Sequence, residues 1–348
     1  MGRICILNHP LGKAIFFFLG FMIVSIVAFQ GTIVFWPQDN RFESVQIDIP
    51  KGASLLSISN SLKNQHILTN EKTFLMAVKL LGHETKIPAG KFTLLEPKTN
   101  LRIIKQLVAG KPILKKVTLL EGWTMKKIAG VLESELGINK MDILSICKNQ
   151  IFIKNQGIPS KTLEGFLFPE TYFFQESDSP EEILSQLTEE YNNNVPEELK
   201  NRADSLGFSE LEMITLASII EGEAIYNSER STISAVYHNR LKLGMKLQAD
   251  PTVQYIIKDG PRRLLNKDLR IKSPYNTYLY RGLPPGPINS PGFKSLNAAL
   301  YPQENDYLYF VAKGDGYHTF SKNEKEHERA KRAFQRIRRK VKREKVGS

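Results

Sequence analysis

Cysteine is almost absent from this chain, with only Cys5 and Cys147 among 348 residues. Two thiols cannot staple a small disulfide-dependent scaffold, and neither stands in a Cys-x-x-Cys or Cys/His cluster with zinc spacing, so metal chemistry through sulfur is excluded and no metal or cofactor is expected. With 23 glycines and 18 prolines the chain is too poor in both to be collagen-like or low-complexity. Hydrophobic residues at 41% against 24% charged residues rule out a disordered polymer. What remains is a chain long enough for about two average domains with real cores.

The formal charge of +12 invites a nucleic-acid reading, but its distribution argues against one. Residues 321–348 carry twelve Lys/Arg against four Asp/Glu, which is eight of the twelve excess charges. The body is only mildly basic. Such a tail reads as a solvated C-terminal helix, with an affinity for polyanions such as lipid headgroups or acidic wall polymers as the sharper alternative.

Long apolar runs are also scarce, and the single one is informative. Residues 14–36 read AIFFFLGFMIVSIVAFQGTIVFW without a charge, and at about 1.5 Å rise per residue this just crosses a ~30 Å hydrocarbon core. Arg3 and Lys13 precede it and Asp39 follows, so the positive-inside bias places residues 1–13 in the cytoplasm and the rest outside. The run is too long for a cleavable signal peptide and has no small-x-small exit, which favours an uncleaved anchor in the inner (plasma) membrane. Cys5 and Cys147 then lie on opposite sides and are not expected to pair.

Beyond the anchor, two segments 70 residues apart share one pattern. Ile49-Pro-Lys-Gly52-Ala-Ser54 leads to Ile58 and Leu62, and Leu119-Leu-Glu-Gly122-Trp-Thr124 leads to Ile128 and Leu132. Each predicts a strand, a glycine turn and a helix capped by Ser54 or Thr124. A small βα module over 43–115 and a second over 116–175 follow, then a main domain over 176–320 and the basic segment 321–348. Leu163 to Phe174 packs five Phe/Tyr into twelve residues; it is either an aromatic wall for sugar rings or ordinary core.

The segment best suited to chemistry begins at Ser209-x-x-Glu212, a capping box that opens an apolar helix ending in Glu221-Gly222-Glu223. Glu221 shares a face with Ile214 and Ala217, and Glu223 with Leu216, Ile219 and Ile220. A carboxyl on an apolar face keeps its proton near neutral pH and can protonate a leaving group. Gly222 is expected to loosen the helix end for a close-lying substrate. Asn227 to Leu241 predicts a second helix stopped at Gly244. The loops after it, 247–255, 273–278 and 281–292, set amides, hydroxyls and aromatics on stiff Pro/Gly frames, as a carbohydrate groove requires.

These residues together resemble the membrane-bound endolytic murein transglycosylases, the MltG or YceG-like family. The matching motifs are Glu164-Gly-Phe-Leu-Phe-Pro-Glu-Thr-Tyr172, Ala217-Ser-Ile-Ile-Glu221-Gly-Glu223, Glu229-Arg230, Asn239-Arg240-Leu241, Leu247-Gln-Ala-Asp-Pro-Thr-Val253, Tyr275-Asn-Thr-Tyr278, Gly282 to Ile288 and Gly316-Tyr-His-Thr-Phe320, in that order. The likeness covers about residues 45 to 330. It implies an α+β fold with one transmembrane helix, a LysM-like βα module and an α+β catalytic domain. It also implies a lyase that cleaves MurNAc-GlcNAc bonds of nascent peptidoglycan and leaves 1,6-anhydro-MurNAc ends, with peptidoglycan polymerases as partners. The catalytic Glu of the family is placed on Glu221, which donates to the glycosidic oxygen and then takes the proton of the MurNAc C6 hydroxyl. Glu223 is expected either to tune Glu221 or to pair with Arg230. Gln248, Asp250, Tyr275, Asn276 and Tyr278 are candidates for holding sugar hydroxyl and N-acetyl groups. His318 is expected to be satisfied structurally, since one Glu serves as acid and base. Two alternatives stand: a water-using muramidase with Glu170 or Glu223 as base, and a noncatalytic peptidoglycan-binding anchor. The basic segment after Phe320 exceeds the family pattern.

Overall fold

The computed structural model describes residues 10–258, 260 and 262–346. Cys5, Arg3 and most of the expected cytoplasmic tail lie outside them. The chain forms two compact units, one of residues 1–115 with 173–178 and one of 116–172 with 179–348. The second strand–turn–helix segment lies in the same unit as the residues of the main domain.

The first unit begins with α1 (Pro10–Val34). Lys13–Val34 is long and apolar enough to cross a membrane, and none of its most apolar stretch is buried in protein. Strand β1 (Ser44–Ile49) is followed by helices α2 (Leu55–Asn64) and α3 (Glu71–Leu80), strand β2 (Gly90–Leu95) and helix α4 (Asn100–Ala109). β1 and β2 pair antiparallel with Ser44 opposite Leu95 and Ile49 opposite Gly90. The period of two sends Ile47, Ile49, Phe92 and Leu94 to one face, where they bury against Leu62, Phe74, Val78, Ile103 and Leu107. The arrangement is βααβ with a further helix, one helix more between the strands than a simple βα unit. Asn100, fully buried, donates to the Ile33 carbonyl at 3.0 Å and accepts from Gln38 at 2.6 Å, which satisfies the exit of α1.

The second unit carries β3 (Lys115–Thr118, its first residue falling in the first unit), α5 (Met125–Leu136), α6 (Lys140–Ile146), α7 (Gln150–Asn155), β4 (Thr171–Phe174, likewise divided), α8 (Pro180–Asn194), α9 (Glu197–Ser205), α10 (Glu210–Glu223), α11 (Asn227–Lys242), α12 (Asp250–Ile256), α13 (Phe293–Leu300), the hairpin β5 (Tyr309–Ala312) and β6 (His318–Ser321), and α14 (Glu324–Val346). The architecture is α+β. Both copies of the sequence repeat form alike: Gly52 and Gly122 turn the chain at φ 73° and 76°, and Ser54 and Thr124 each accept an N–H three residues on. The aromatic segment is core, since Phe166, Phe168 and Tyr172 are buried and Phe166 meets Tyr191 edge-on at 5.0 Å.

α10 is the axis of the second unit. Met213 through Ile220 are all buried, so this helix is covered on every side rather than on one stripe. Its capping box forms as the spacing predicts. The hydroxyls of Thr215 and Ser218 return to the carbonyls of Leu211 and Thr215 at 2.7 Å each, which lets polar residues sit inside an apolar core.

Candidate active site

Two glutamates close α10, and the structure gives them opposite surroundings. Glu221 Oε1 accepts Arg230 Nη2 at 3.0 Å, and its Oε2 accepts the Gly292 N–H at 3.1 Å. The pair is 6% and 7% exposed. Arg230 is itself held by Asn227 and Ser295. Glu221 thus ties α10 to α11 and receives the amino end of α13, and both its oxygens are occupied. The pairing considered for Glu223 with Arg230 belongs to Glu221 instead.

Glu223 faces the other way. It lines a cavity of about 460 Å³ with Arg240, Gln248, Asp250, Tyr278 and His318, and a second cavity of about 460 Å³ with Thr124, Asp250, Gln254, Tyr255 and Asn289. The two cavities share Glu223 and Asp250. Burial pushes the Glu223 carboxyl up to about 7, with the Asp250 charge adding to the rise. The Tyr237 hydroxyl, which donates to Glu223 Oε1 at 2.9 Å, pulls part of the way back. Near neutral pH the group is poised between its two protonation states, as an acid that must later act as a base requires.

Gly222 explains how Asp250 comes beside Glu223. A Cβ on Gly222 would lie 2.6 Å from Pro251 Cβ, so only glycine lets the start of α12 approach. What lies close to Gly222 is Pro251, where the sequence suggested a substrate. Pro251 sits in the first turn of α12, where its missing N–H costs nothing. Asp250 Oδ1 accepts the Tyr278 hydroxyl at 2.5 Å. Gln248 adopts φ 49°, a left-handed conformation that costs a non-glycine residue energy and is tolerated where surroundings fix it. Here the fixing is direct: Gln248 and Ala249 donate their N–H groups to the carbonyl and hydroxyl of Thr277 at 3.2 and 3.0 Å.

Of the sequence candidates, Glu223, Gln248, Asp250 and Tyr278 come together at the cavities. Asn276 does not. It is fully buried, its amide donates to the Leu269 and Ile271 carbonyls at 3.1 and 2.9 Å, and its carbonyl accepts the Tyr278 N–H at 3.0 Å. It shapes the loop that presents Tyr278. Tyr275 packs on Tyr255 with ring centroids 5.0 Å apart, beside the second cavity and outside its wall. Glu170 accepts the adjacent Thr171 N–H at a surface position away from both cavities.

Sequence reasoning gave no role to several residues that build the site. Tyr237 holds Glu223 through its hydroxyl, and nothing in the local sequence marks that hydroxyl. Arg240 donates to the carbonyls of Leu308 and Leu247 at 2.6 and 2.7 Å and so joins α11 to β5 and to the Gln248 loop. Asn289 is anchored by its amide on the Ser218 carbonyl at 2.9 Å. The turn at Gly122 fixes the same loop, through Gly122 N–H to the Ser290 carbonyl at 2.8 Å and Ser290 N–H to the Trp123 carbonyl at 2.9 Å. Glu164, buried and pushed up to about 7 by burial, accepts the Met125 N–H at 2.8 Å and the Tyr255 hydroxyl at 3.3 Å. No group of three or more His, Cys, Asp or Glu able to hold a metal ion occurs among the described residues.

A buried carboxyl pushed up to about 7, with a second carboxylate beside it on the walls of the same two cavities, is a pair of groups suited to acid–base chemistry. Comparison with known proteins places the chain more closely. Residues 47–333 match the YceG-like family, and the chain belongs to that family. A Bacillus subtilis protein named endolytic murein transglycosylase is 36% identical over 308 residues, covering 84% of this chain and 85% of that protein. A Streptococcus pneumoniae protein of the same name is 28% identical over 323 residues, and the match spans 83% of this chain and 58% of the relative. The crystal structure of a yceG-like protein from Listeria monocytogenes is 33% identical, with a TM-score of 0.58 over 82% of this chain and 98% of that one.

Proposed function

We propose that this chain is an endolytic peptidoglycan transglycosylase whose acid–base residue is Glu223 rather than Glu221. The observation that carries the assignment is that Glu223 lines both cavities, whereas both oxygens of Glu221 are bound by Arg230 and Gly292. Sugars on either side of a scissile bond occupy the two cavities, which suits cleavage within a strand rather than at its end.

The steps follow from the groups present. Protonated Glu223 gives its proton to the glycosidic oxygen as the C1–O bond breaks and positive charge develops at C1. Asp250, hydrogen-bonded to Tyr278, stabilises that charge through space. Glu223, now a carboxylate held by Tyr237, takes the proton of the MurNAc C6 hydroxyl while that oxygen bonds to C1. The product ends in 1,6-anhydro-MurNAc, and Glu223 is protonated again. Gln248 and Asn289 supply amides at the two cavities for hydroxyl and N-acetyl groups.

A water-using muramidase is the second reading, favoured by one observation: Asp250 is a second carboxylate on the walls of both cavities. The βααβ core of the first unit is read as a LysM-like glycan-holding module, α1 as a single-pass anchor with the N-terminus in the cytoplasm, and the second unit as extracytoplasmic. An anchored site reaches strands near the bilayer, so the activity terminates growing chains, and peptidoglycan polymerases are the expected partners.

The test is mass spectrometry of products from purified peptidoglycan treated with the full-length chain in detergent and with its Glu223→Gln form. Ends of 1,6-anhydro-MurNAc that vanish in the variant support the proposal. Reducing ends carrying an added water establish the muramidase, and unaltered strands that still bind establish a noncatalytic anchor.

A further inference from the structure

The cavity that Glu223 shares with Gln248, Asp250 and Tyr278 has a wall that the mechanism above does not use. His318, at the start of β6, lines it. Glu229, in the first turn of α11 and 8% exposed, grips this histidine twice: Oε1 accepts the His318 backbone N–H at 3.0 Å and Oε2 accepts Nδ1 at 2.9 Å. Phe310 meets the ring edge-on at 5.2 Å. The imidazole is thereby fixed in place and in tautomer, since a carboxylate on Nδ1 requires a proton there. Nε2 is the one polar atom of the ring left for the cavity, and among the described residues no hydrogen bond to it is found.

The hairpin is also attached at a second place. Tyr226, just before α11, stacks on Tyr317 with centroids 4.1 Å apart, and its hydroxyl donates to the Asp315 carbonyl at 3.3 Å. On the same wall Arg240 is engaged with the carbonyls of Leu308 and Leu247 and Asp250 with Tyr278, while His327 Nδ1 is buried without a partner. We propose that His318, oriented by Glu229, is a substrate-contacting residue whose Nε2 accepts a hydrogen bond from a hydroxyl of the glycan in this cavity. Glu229 is then a positioning residue that acts through His318. This inference rests on the reading of the cavity as the glycan groove.

Two isosteres separate contact from clamp. Asn at 318 puts an amide where Nδ1 was, keeping the bond to Glu229 and leaving nothing at the Nε2 position. Gln puts its amide where Nε2 was. Both are made in the full-length Glu223→Gln background in detergent, and binding of purified peptide-free glycan strands is measured. The proposal expects His318→Asn to weaken binding about tenfold, the scale of one lost hydrogen bond in a desolvated site, and His318→Gln to restore most of it. The reverse order, with Asn at wild-type affinity and Gln weak, overturns it and makes the pair a hairpin clamp. Nitrogen-15 spectra of the unsubstituted ring give a second readout that does not depend on variant folding: the Nε2 resonance moves on adding strands if the proposal holds and stays if it does not. Failure of the Glu223→Gln parent itself to bind strands would instead count against the glycan-groove reading.

Discussion

Residues 221 and 223 are two positions apart in the last turn of α10, yet one is bound by the protein on both oxygens and the other lines two cavities. At the joint, Glu221 meets the Arg230 guanidinium and the N–H of Gly292, the residue that caps α13. At the site, Glu223 has a tyrosine hydroxyl on one oxygen, a carboxylate neighbour and two cavities. Burial alone does not distinguish them. What does is whether the buried charge is matched: a matched carboxylate stabilises packing, and an unmatched one keeps its proton and can give it away.

The comparison can be broken at the joint first. Glu221→Ala leaves Arg230 buried without its partner and should cost about 3–5 kcal/mol of stability, read as a fall in the midpoint of chemical denaturation of the second unit. A smaller loss than 1 kcal/mol would mean that Arg230 is satisfied by Asn227 and Ser295 alone.

Glu164 sharpens the contrast from another side, as a buried carboxyl pushed up to about 7 that lines neither cavity. Its folded pKa lies above the ordinary 4.5 of a glutamate, so its contribution to stability is complete below about pH 4.5 and is lost as pH rises through about 7. The loss amounts to roughly 3 kcal/mol. Glu164→Gln should therefore gain stability relative to the parent between pH 5 and about 8, as followed by thermal melts across that range. A pH-independent difference would contradict the assigned shift.

The close approach at Gly222 is the next point of attack. Gly222→Ala forces Pro251 away and should cost about 1–3 kcal/mol by overpacking. The same displacement carries Asp250 from Glu223, so cleavage should fall further than folding. A variant that folds less well but cleaves normally per folded molecule would separate Asp250 from the reaction.

The smallest effect concerns Tyr237. Its hydrogen bond lowers the Glu223 pKa, so Tyr237→Phe should move the alkaline limb of the cleavage profile upward, by less than about one pH unit. A downward shift would mean that the hydroxyl stabilises the protonated form.

Much of this was legible beforehand. The apolar run, the capped turns after Gly52 and Gly122 and the capping box of α10 follow from local spacing and end chemistry; that Gln248, Asp250 and Tyr278 line one cavity depends on the fold. The different surroundings of Glu221 and Glu223 were not legible. Residues at i and i+2 leave a helix on different sides, and which side is a joint depends on Arg230 and Gly292, nine and 71 residues further on. Asn276 looked like a sugar ligand because loop amides serve sugars and turns equally well; its contacts with Leu269 and Ile271 are properties of the folded loop. Helix α3 carried no separate signal for a similar reason, since β1 finds its partner across two helices and only the pairing with β2 reveals the βααβ unit.

The central claim is that Glu223 supplies the proton and Glu221 holds the helices. It is tested most directly by comparing cleavage of peptidoglycan by Glu221→Gln and Glu223→Gln in the full-length chain, each rate divided by the folded fraction measured under the same conditions. The account predicts that Glu223→Gln loses about 10²–10⁴-fold, the range for removing a general acid–base group, while Glu221→Gln stays within about tenfold of the parent once folding is accounted for. A folded but inactive Glu221→Gln beside an active Glu223→Gln would contradict it.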